Sequence, residues 1–380
     1  MDFSLSDDHL ALRDAVRRCC DGEYPLHERG VPEAAVQAGR RQAALAQLGL
    51  FGLTLPEAHG GSGLDPVAWM LAAQELGRAL AGPAWLASAV LAAPLIAACA
   101  SPQQQQRWLG VLASGEQLAA LACEEPHNRW DVLDLRCTAA QDSAGQWRVS
   151  GHKSGALGAD AASLLLVLAQ APQGPTLLAI DAAATGLQLR PCRFIDGRGA
   201  AQLQMHEVAA ELIGTPGAAA GPVMQAIEQA GAMLVAESTG AAEALLALTV
   251  EHLRTRQQFG KPLAAQQALQ HRLADAAINL EQLRSMACVA AMSLNAETAQ
   301  ERTRGISAAR TLSAQLGRRM ALEAIQLHGA MGMTEDCAAA RYAKRLLANS
   351  ALLGDAQWHR RRFAALPARD AAAHVQPQPA

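Results

Sequence analysis

The stretch "QLAALACEE" (residues 117–125) decides the fold, because the hydropathy pattern changes character there. It is followed by "LDLRCTAAQD" (133–142), "QWRVSGH" (146–152), "SLLLVLAQ" (163–170), "PTLLAIDAA" (175–183), "LQLRPC" (187–192) and "QLQMHEV" (202–208). These short segments recur at roughly ten-residue spacing, several alternate polar with apolar, and Gly, Pro, Asp or Ser separates them. That pattern predicts a small antiparallel sandwich or barrel. On the N-terminal side, "SLSDDHLALRDAVRRCC" (4–20), "EAAVQAGRRQAALAQLGLFGL" (33–53) and "PVAWMLAAQELGRALAG" (66–82) place apolar residues at helical spacing. On the C-terminal side the helical period returns after "ELIGTPGAAAGP" (211–222) and holds to about residue 365. The chain therefore divides into a helical unit over 1–117, a β unit over 118–215, a helical bundle over 216–366 and a flexible tail over 367–380. A β unit between two helical ones must pack against both.

The bulk numbers narrow the function. A chain of 380 residues buries a large core. A net charge of −3 with no basic block or stripe, and only 3% aromatic residues, argues against nucleic acid. Eight cysteines lack CxxC spacing, apart from the neighbours Cys19 and Cys20, which excludes a disulfide framework or zinc pattern and fits a reducing cytoplasm. The acidic start lacks the basic and apolar regions of a signal peptide. "GPAWLASAVLAAPLIAACA" (82–100) has membrane length, but Pro83 and Pro94 interrupt it, so a buried helix pair is expected rather than a membrane insertion. The linker "PEAHGGSG" (56–63) holds no GxGxxG after a strand and is not a dinucleotide fingerprint.

Several stretches, in order, resemble the acyl-CoA dehydrogenase family across essentially the whole chain. They are "LGLFGLTLPEAHGGSG" (48–63), "AAQELGRAL" (72–80), "LACEEP" (121–126), "GHKSGALGADAASLLLV" (151–167), "RTRQQFGKPLAAQQALQHRLAD" (254–275), "QLHGAMGMTED" (326–336) and "RYAKRLL" (341–347). The resemblance implies an α+β multidomain fold: an N-terminal helical domain, a middle antiparallel β-barrel and a C-terminal four-helix bundle. It also implies bound FAD and a homo-oligomer, or a heterotetramer with a homologous subunit. Desaturating an acyl thioester needs a hydride acceptor, which no side chain provides, and a base for the α-proton.

Residue by residue, Arg256 and Phe259 match positions on the pyrophosphate and adenine side of FAD, often across a subunit boundary. An arginine fork suits a diphosphate. Gln326 and Gly329 match positions that approach the other subunit's FAD, while Gln267 and Gln357 match further FAD-side positions. For Arg256, Gln326, Gln267 and Gln357, a surface or helix-face role is the plain alternative. His328, in the same motif, reads as a hydrogen-bonded structural histidine.

The chain also departs from the pattern. Where many members carry the basic Glu before Gly354, it has Leu353; at the alternative seat it has Ala230. Asp355 follows Gly354 and has two readings, an α-proton base or the N-cap of the helix "DAQWHRRRFAAL". Glu237, on an apolar helix face, reads as an interhelix hydrogen bond or salt bridge. "EEPHNRWDV" (124–132) replaces the family's Gly-Ser-Asp loop, with Glu124 and Glu125 shaping it, and Gly155, Ala156 and Leu157 align with the Trp-Ile-Thr beside the flavin ring. The ending "LLGDAQWHR" (352–360) resembles bacterial members that act on steroid side-chain or ring-derived CoA esters and are built from two different chains. The expected function is an FAD-dependent dehydrogenase making a 2,3-enoyl-CoA thioester and passing electrons to an electron-transfer flavoprotein. The alternatives are a non-catalytic partner subunit and a flavin-dependent oxygenase or oxidase on the same fold.

Overall fold

A computed structural model describes residues 4–31 and 34–367. The tail expected over 367–380 lies, apart from Pro367, outside the described residues. Helix α1 (Asp7–Glu23) starts at Ser6, whose hydroxyl accepts from His9 N. It is followed by α2 (Ala35–Gln47) and α3 (Pro66–Arg78), the latter capped by Asp65. The apolar span then runs as one buried helix: a π-helical segment, Trp85–Ala92, continues into α4 (Ala93–Cys99). This corrects the expected helix pair. The widened turns rearrange the ladder just before Pro94, which has no N–H to donate. Helix α5 (Pro102–Ala113) opens with a capping box of Ser101 and Gln104 and closes this unit.

The strands are β1 (Ala119–Ala122), β2 (Thr138–Gln141), β3 (Trp147–Leu157), β4 (Leu164–Ala171), β5 (Gly174–Asp181), β6 (Leu187–Arg193) and β7 (Gly199–Ile213). Pairing runs β4–β2–β3–β7–β5 and returns to β4, a closed five-strand ring with β1 beside β4 and β6 beside β7. The barrel is mixed, which corrects the antiparallel expectation. β1 pairs β4 in parallel along Ala119–Ala122, and β2 meets β4 in parallel at Thr138. Parallel neighbours need long crossovers, and here the loop after β1 and the β2–β3 hairpin provide them. Strand β3 bulges between Lys153 and Ala156, with Gly155 at φ +61.

The bundle comprises α6 (Ala220–Thr255), α7 (Gln267–Ser293), α8 (Ala299–His328) and α9 (Ala338–Asn349), with α10 (Ala356–Ala364) laid on α8. By length and composition α6 could cross a bilayer, yet 61% of its apolar window is buried inside the fold. Helices α3 and α6 cross backbone against backbone. A Cβ on Gly77 would stand 2.0 Å from the Glu237 carbonyl oxygen, and one on Gly240 would stand 1.8 Å from that of Gln74. Only glycine fits at either position, and this crossing sets the depth of Glu237.

Candidate functional site

The N-terminal unit, barrel and bundle meet at a buried charge lattice. Asp196 and Arg198 enter from the turn between β6 and β7, Glu237 from α6, and Arg345 and Asn349 from α9. Asp196 Oδ2 lies 2.6 Å from Arg198 Nε and 2.7 Å from Arg345 Nε. Neither contact is aligned as a hydrogen bond. Arg345 Nη1 donates to Glu237 Oε1 at 2.7 Å, the interhelix salt bridge that the sequence led one to expect for Glu237. Arg198 Nη2 donates to Asn349 Oδ1 at 2.6 Å, and Asn349 Nδ2 to Ser238 Oγ at 3.1 Å. Burial works against the charged form of Asp196, but Arg345 and Arg198 outweigh it and hold its carboxyl below the ordinary value.

Two leucines in the left-handed region flank this lattice, Leu80 at φ +53 and Leu353 at φ +57. Such conformations persist where surroundings over-determine them. Arg345 Nη2 donates to the carbonyls of Leu80 and Ala81 at 3.3 and 3.0 Å. Arg310 of α8 donates through Nη2 to the carbonyls of Asn349, Leu352 and Gly354, pinning the loop that carries Leu353. Burial lowers the Arg310 guanidinium to about 10. Its Nε donates to His359 Nε2 at 3.4 Å, and burial, with Arg310 and Arg362 alongside, takes that imidazole down to about 2. His359 is therefore neutral.

Asp355 is the N-cap of α10, where its Oδ1 accepts from Trp358 N at 2.7 Å. Gln357 is exposed on the same helix. Ala230 is buried on α6. In the loop after β1, burial works to raise Glu125, but Lys153 Nζ at 2.7 Å and the N–H groups of Arg136 and Cys137 hold its carboxyl low. Glu124 has no side-chain partner among the described residues, and burial pushes it up to about 7. Its carbonyl accepts from Ser154 N, which fixes it beside Gly155 of the β3 bulge. Leu157 ends β3 as a buried apolar side chain. Phe194 is 3.8 Å from where a Gly155 Cβ would be.

A second patch lies at the far end of the bundle. Arg256 follows α6, and its guanidinium makes no hydrogen bond or ion pair among the described residues. After it, Gln257–Gln258 and Lys261–Pro262 form a hairpin, β8–β9, whose turn holds Phe259 at φ +54 and Gly260 at φ +76. Positive φ at both central residues is what a two-residue hairpin demands, and it leaves Phe259 91% exposed at the tip. His252 stacks on His328 with ring centroids 4.4 Å apart, tying the ends of α6 and α8 together. Arg256 and Gln326 thereby share one corner with Gly329, which ends α8 at positive φ, +63. His328 Nδ1 bonds the Ala324 carbonyl, the structural role expected of it. Gln326 and Gly329 are exposed, as is Gln267 at the first position of α7. Asp355 and Gln357 lie near Arg310, about 24 Å along α8 from Gln326 at 1.5 Å per residue.

A half-enclosed cavity of about 300 Å³ opens between α2, the Leu80–Ala84 turn and the β6–β7 turn. Arg198, Arg345 and Asp196 line it. Of the lattice, only Glu237 drew notice in the sequence. A legible signal did exist: Arg310 is a lone cation on an apolar helix face, in step with Ile306, Ala314 and Gly317.

Comparison with known proteins adds the family. Residues 6–116 match the acyl-CoA dehydrogenase N-terminal domain and residues 220–366 its C-terminal domain. The mitochondrial short-chain specific acyl-CoA dehydrogenase of Bos taurus is 26% identical over 353 residues, covering 89% of this chain and 84% of that protein. A variant of the Tcur3481–Tcur3483 steroid ACAD is 28% identical, with a TM-score of 0.86 over 96% of this chain and 98% of that one. The ChsE4–ChsE5 complex from Mycobacterium tuberculosis shares the fold at a TM-score of 0.84 and 22% identity, over 97% of this chain and 100% of that one. With both flanking domains matched and the closed barrel between them, this chain belongs to the acyl-CoA dehydrogenase family.

Proposed function

We propose that this chain is the supporting subunit of a heteromeric acyl-CoA dehydrogenase, with the α-proton base and the flavin ring site on a homologous partner. The family is FAD-dependent, and FAD when bound supplies the hydride acceptor. The outer corner fits the extended half of that cofactor. Arg256 offers a diphosphate a guanidinium unpaired among the described residues, and Phe259, Gln326 and Gly329 are exposed beside it. The ring half does not fit. Leu157 cannot offer the hydroxyl that the family's Thr directs at the ring, and no redox step is assigned to this chain.

One observation carries the reading: the junction where an acid is needed is already closed. Leu353 and Ala230 are apolar, Asp355 caps α10, and Glu237 is bonded to Arg345 and within 3.4 Å of Arg198 and Asn349. The Glu237 carboxylate is anchored inside the junction by two guanidiniums. In the assembled enzyme an acyl-CoA thioester is oxidised to its 2,3-enoyl form and an electron-transfer flavoprotein takes the electrons. The pair named in the Tcur3481–Tcur3483 steroid ACAD supports a two-chain assembly and a bulky acyl group.

The test is anaerobic flavin bleaching by a panel of acyl-CoA esters, with this chain alone and co-purified with a homologous chain. No bleaching alone and bleaching of the pair supports the proposal. One FAD per chain that bleaches with this chain alone overturns it. Loss of that activity in Glu124→Gln would then identify the base.

A further inference from the structure

We propose that the cavity between α2, the Leu80–Ala84 turn and the β6–β7 turn binds an apolar carboxylate, with its anionic end on Arg198 and Arg345. Three observations converge on this. The cavity, about 300 Å³, is at the lower end of the size range of small-molecule sites, and Ala38, Leu45, Leu80, Pro83 and Ala84 give it an apolar wall. Its floor is the buried lattice, whose charges do not balance: among the described residues Arg198, Arg310 and Arg345 face two carboxylates, Asp196 and Glu237. All five are largely buried, and neutral His359 does not change the count. A buried lattice with one uncompensated cation favours an incoming anion.

The donors are also there. Arg198 and Arg345 carry ten N–H groups and direct five hydrogen bonds, to Glu237, Asn349 and the Leu80 and Ala81 carbonyls. Their Nε groups, in contact with Asp196, make no aligned hydrogen bond. Both guanidiniums line the cavity, so a carboxylate reaching its floor meets donors with capacity left. Of the other charges around the cavity, Arg41 is bonded to Glu28, and burial works against the charged form of Asp160. An apolar wall above a cationic floor selects an amphipathic anion over a sugar or nucleotide.

This inference needs neither flavin nor a partner chain, so it stands or falls separately from the proposed function. The probes are decanoate and its neutral counterpart 1-decanol, read by thermal shift and titration calorimetry on the full chain. Saturable stabilisation by decanoate, with 1-decanol at least tenfold weaker, is expected. Arg198→Met should abolish the preference but risks unfolding. Ala38→Trp fills the cavity from half-buried α2, away from the lattice, and should remove decanoate binding while leaving the unliganded melting temperature unchanged. Equal response to both probes, no response, or full decanoate binding by Ala38→Trp overturns the proposal.

Discussion

The two ends of the C-terminal bundle treat arginine in opposite ways. At the three-way junction Arg198, Arg310 and Arg345 are buried and bonded to carboxylates and main-chain carbonyls. At the far corner Arg256 is exposed with no partner among the described residues, beside a nearly bare Phe259. A buried guanidinium must find its partners within the chain, because its desolvation has to be offset there. An exposed one remains solvated and can be used by something else. The inner end therefore holds this chain together, with spare donors only toward the adjoining cavity, and the outer end faces outward to a ligand or another subunit.

The strongest way to break that contrast is Arg345→Met. It takes from Asp196 and Glu237 one of their two cations, leaving Arg198 alone, and removal of one partner from a buried pair costs about 3–5 kcal/mol. A melting temperature within a degree of wild type would show that the junction is not structural. Next is Arg256→Ala. Its effect on melting should stay within about 0.5 kcal/mol, as at other exposed sites. Flavin affinity of the assembly should fall by roughly 10- to 100-fold, the worth of a charge-assisted bond. A cofactor titration of the co-purified complex checks this.

A smaller effect comes from His359. Its folded value lies near 2 against an ordinary 6.5, so below about pH 6.5 the unfolded chain takes up a proton that the folded one refuses. This stability is present above that pH and is lost as pH falls, by about 1.4 kcal/mol per pH unit at most. Melting curves at pH 7.5 and 5.5 should show a slope that His359→Asn reduces. The smallest effect is Asp355→Ala, which removes an N-cap worth about 1 kcal/mol. Asp355→Ser should restore it, and turnover of a co-purified complex should be the same in both variants. Activity lost in both would return Asp355 to the chemistry.

The sequence made some of this legible and hid the rest for definite reasons. Short segments punctuated at 142–146 and 171–175 mark strands, since turn residues act locally. The parallel pairing of β1 with β4 joins Ala119 to Leu164, and no local pattern encodes the direction of a neighbour so far along the chain. Asp355 was readable as a cap from its place after Gly354. The outer corner was visible through the family resemblance of the stretches that carry Arg256 and Phe259, and Gln326 and Gly329. The junction was hidden because Asp196, in the β6–β7 turn, and Arg345 and Asn349, on α9, are individually ordinary residues in two distant segments. Only the packed fold shows that they touch.

The glycine pair where α3 crosses α6 has a further consequence. With each Cα pressed on the opposing main chain, neither position tolerates even a methyl group unless a whole helix withdraws. Sequence drift here is held as by a ratchet: no single replacement is neutral, and a compensating one would have to shift both rods at once.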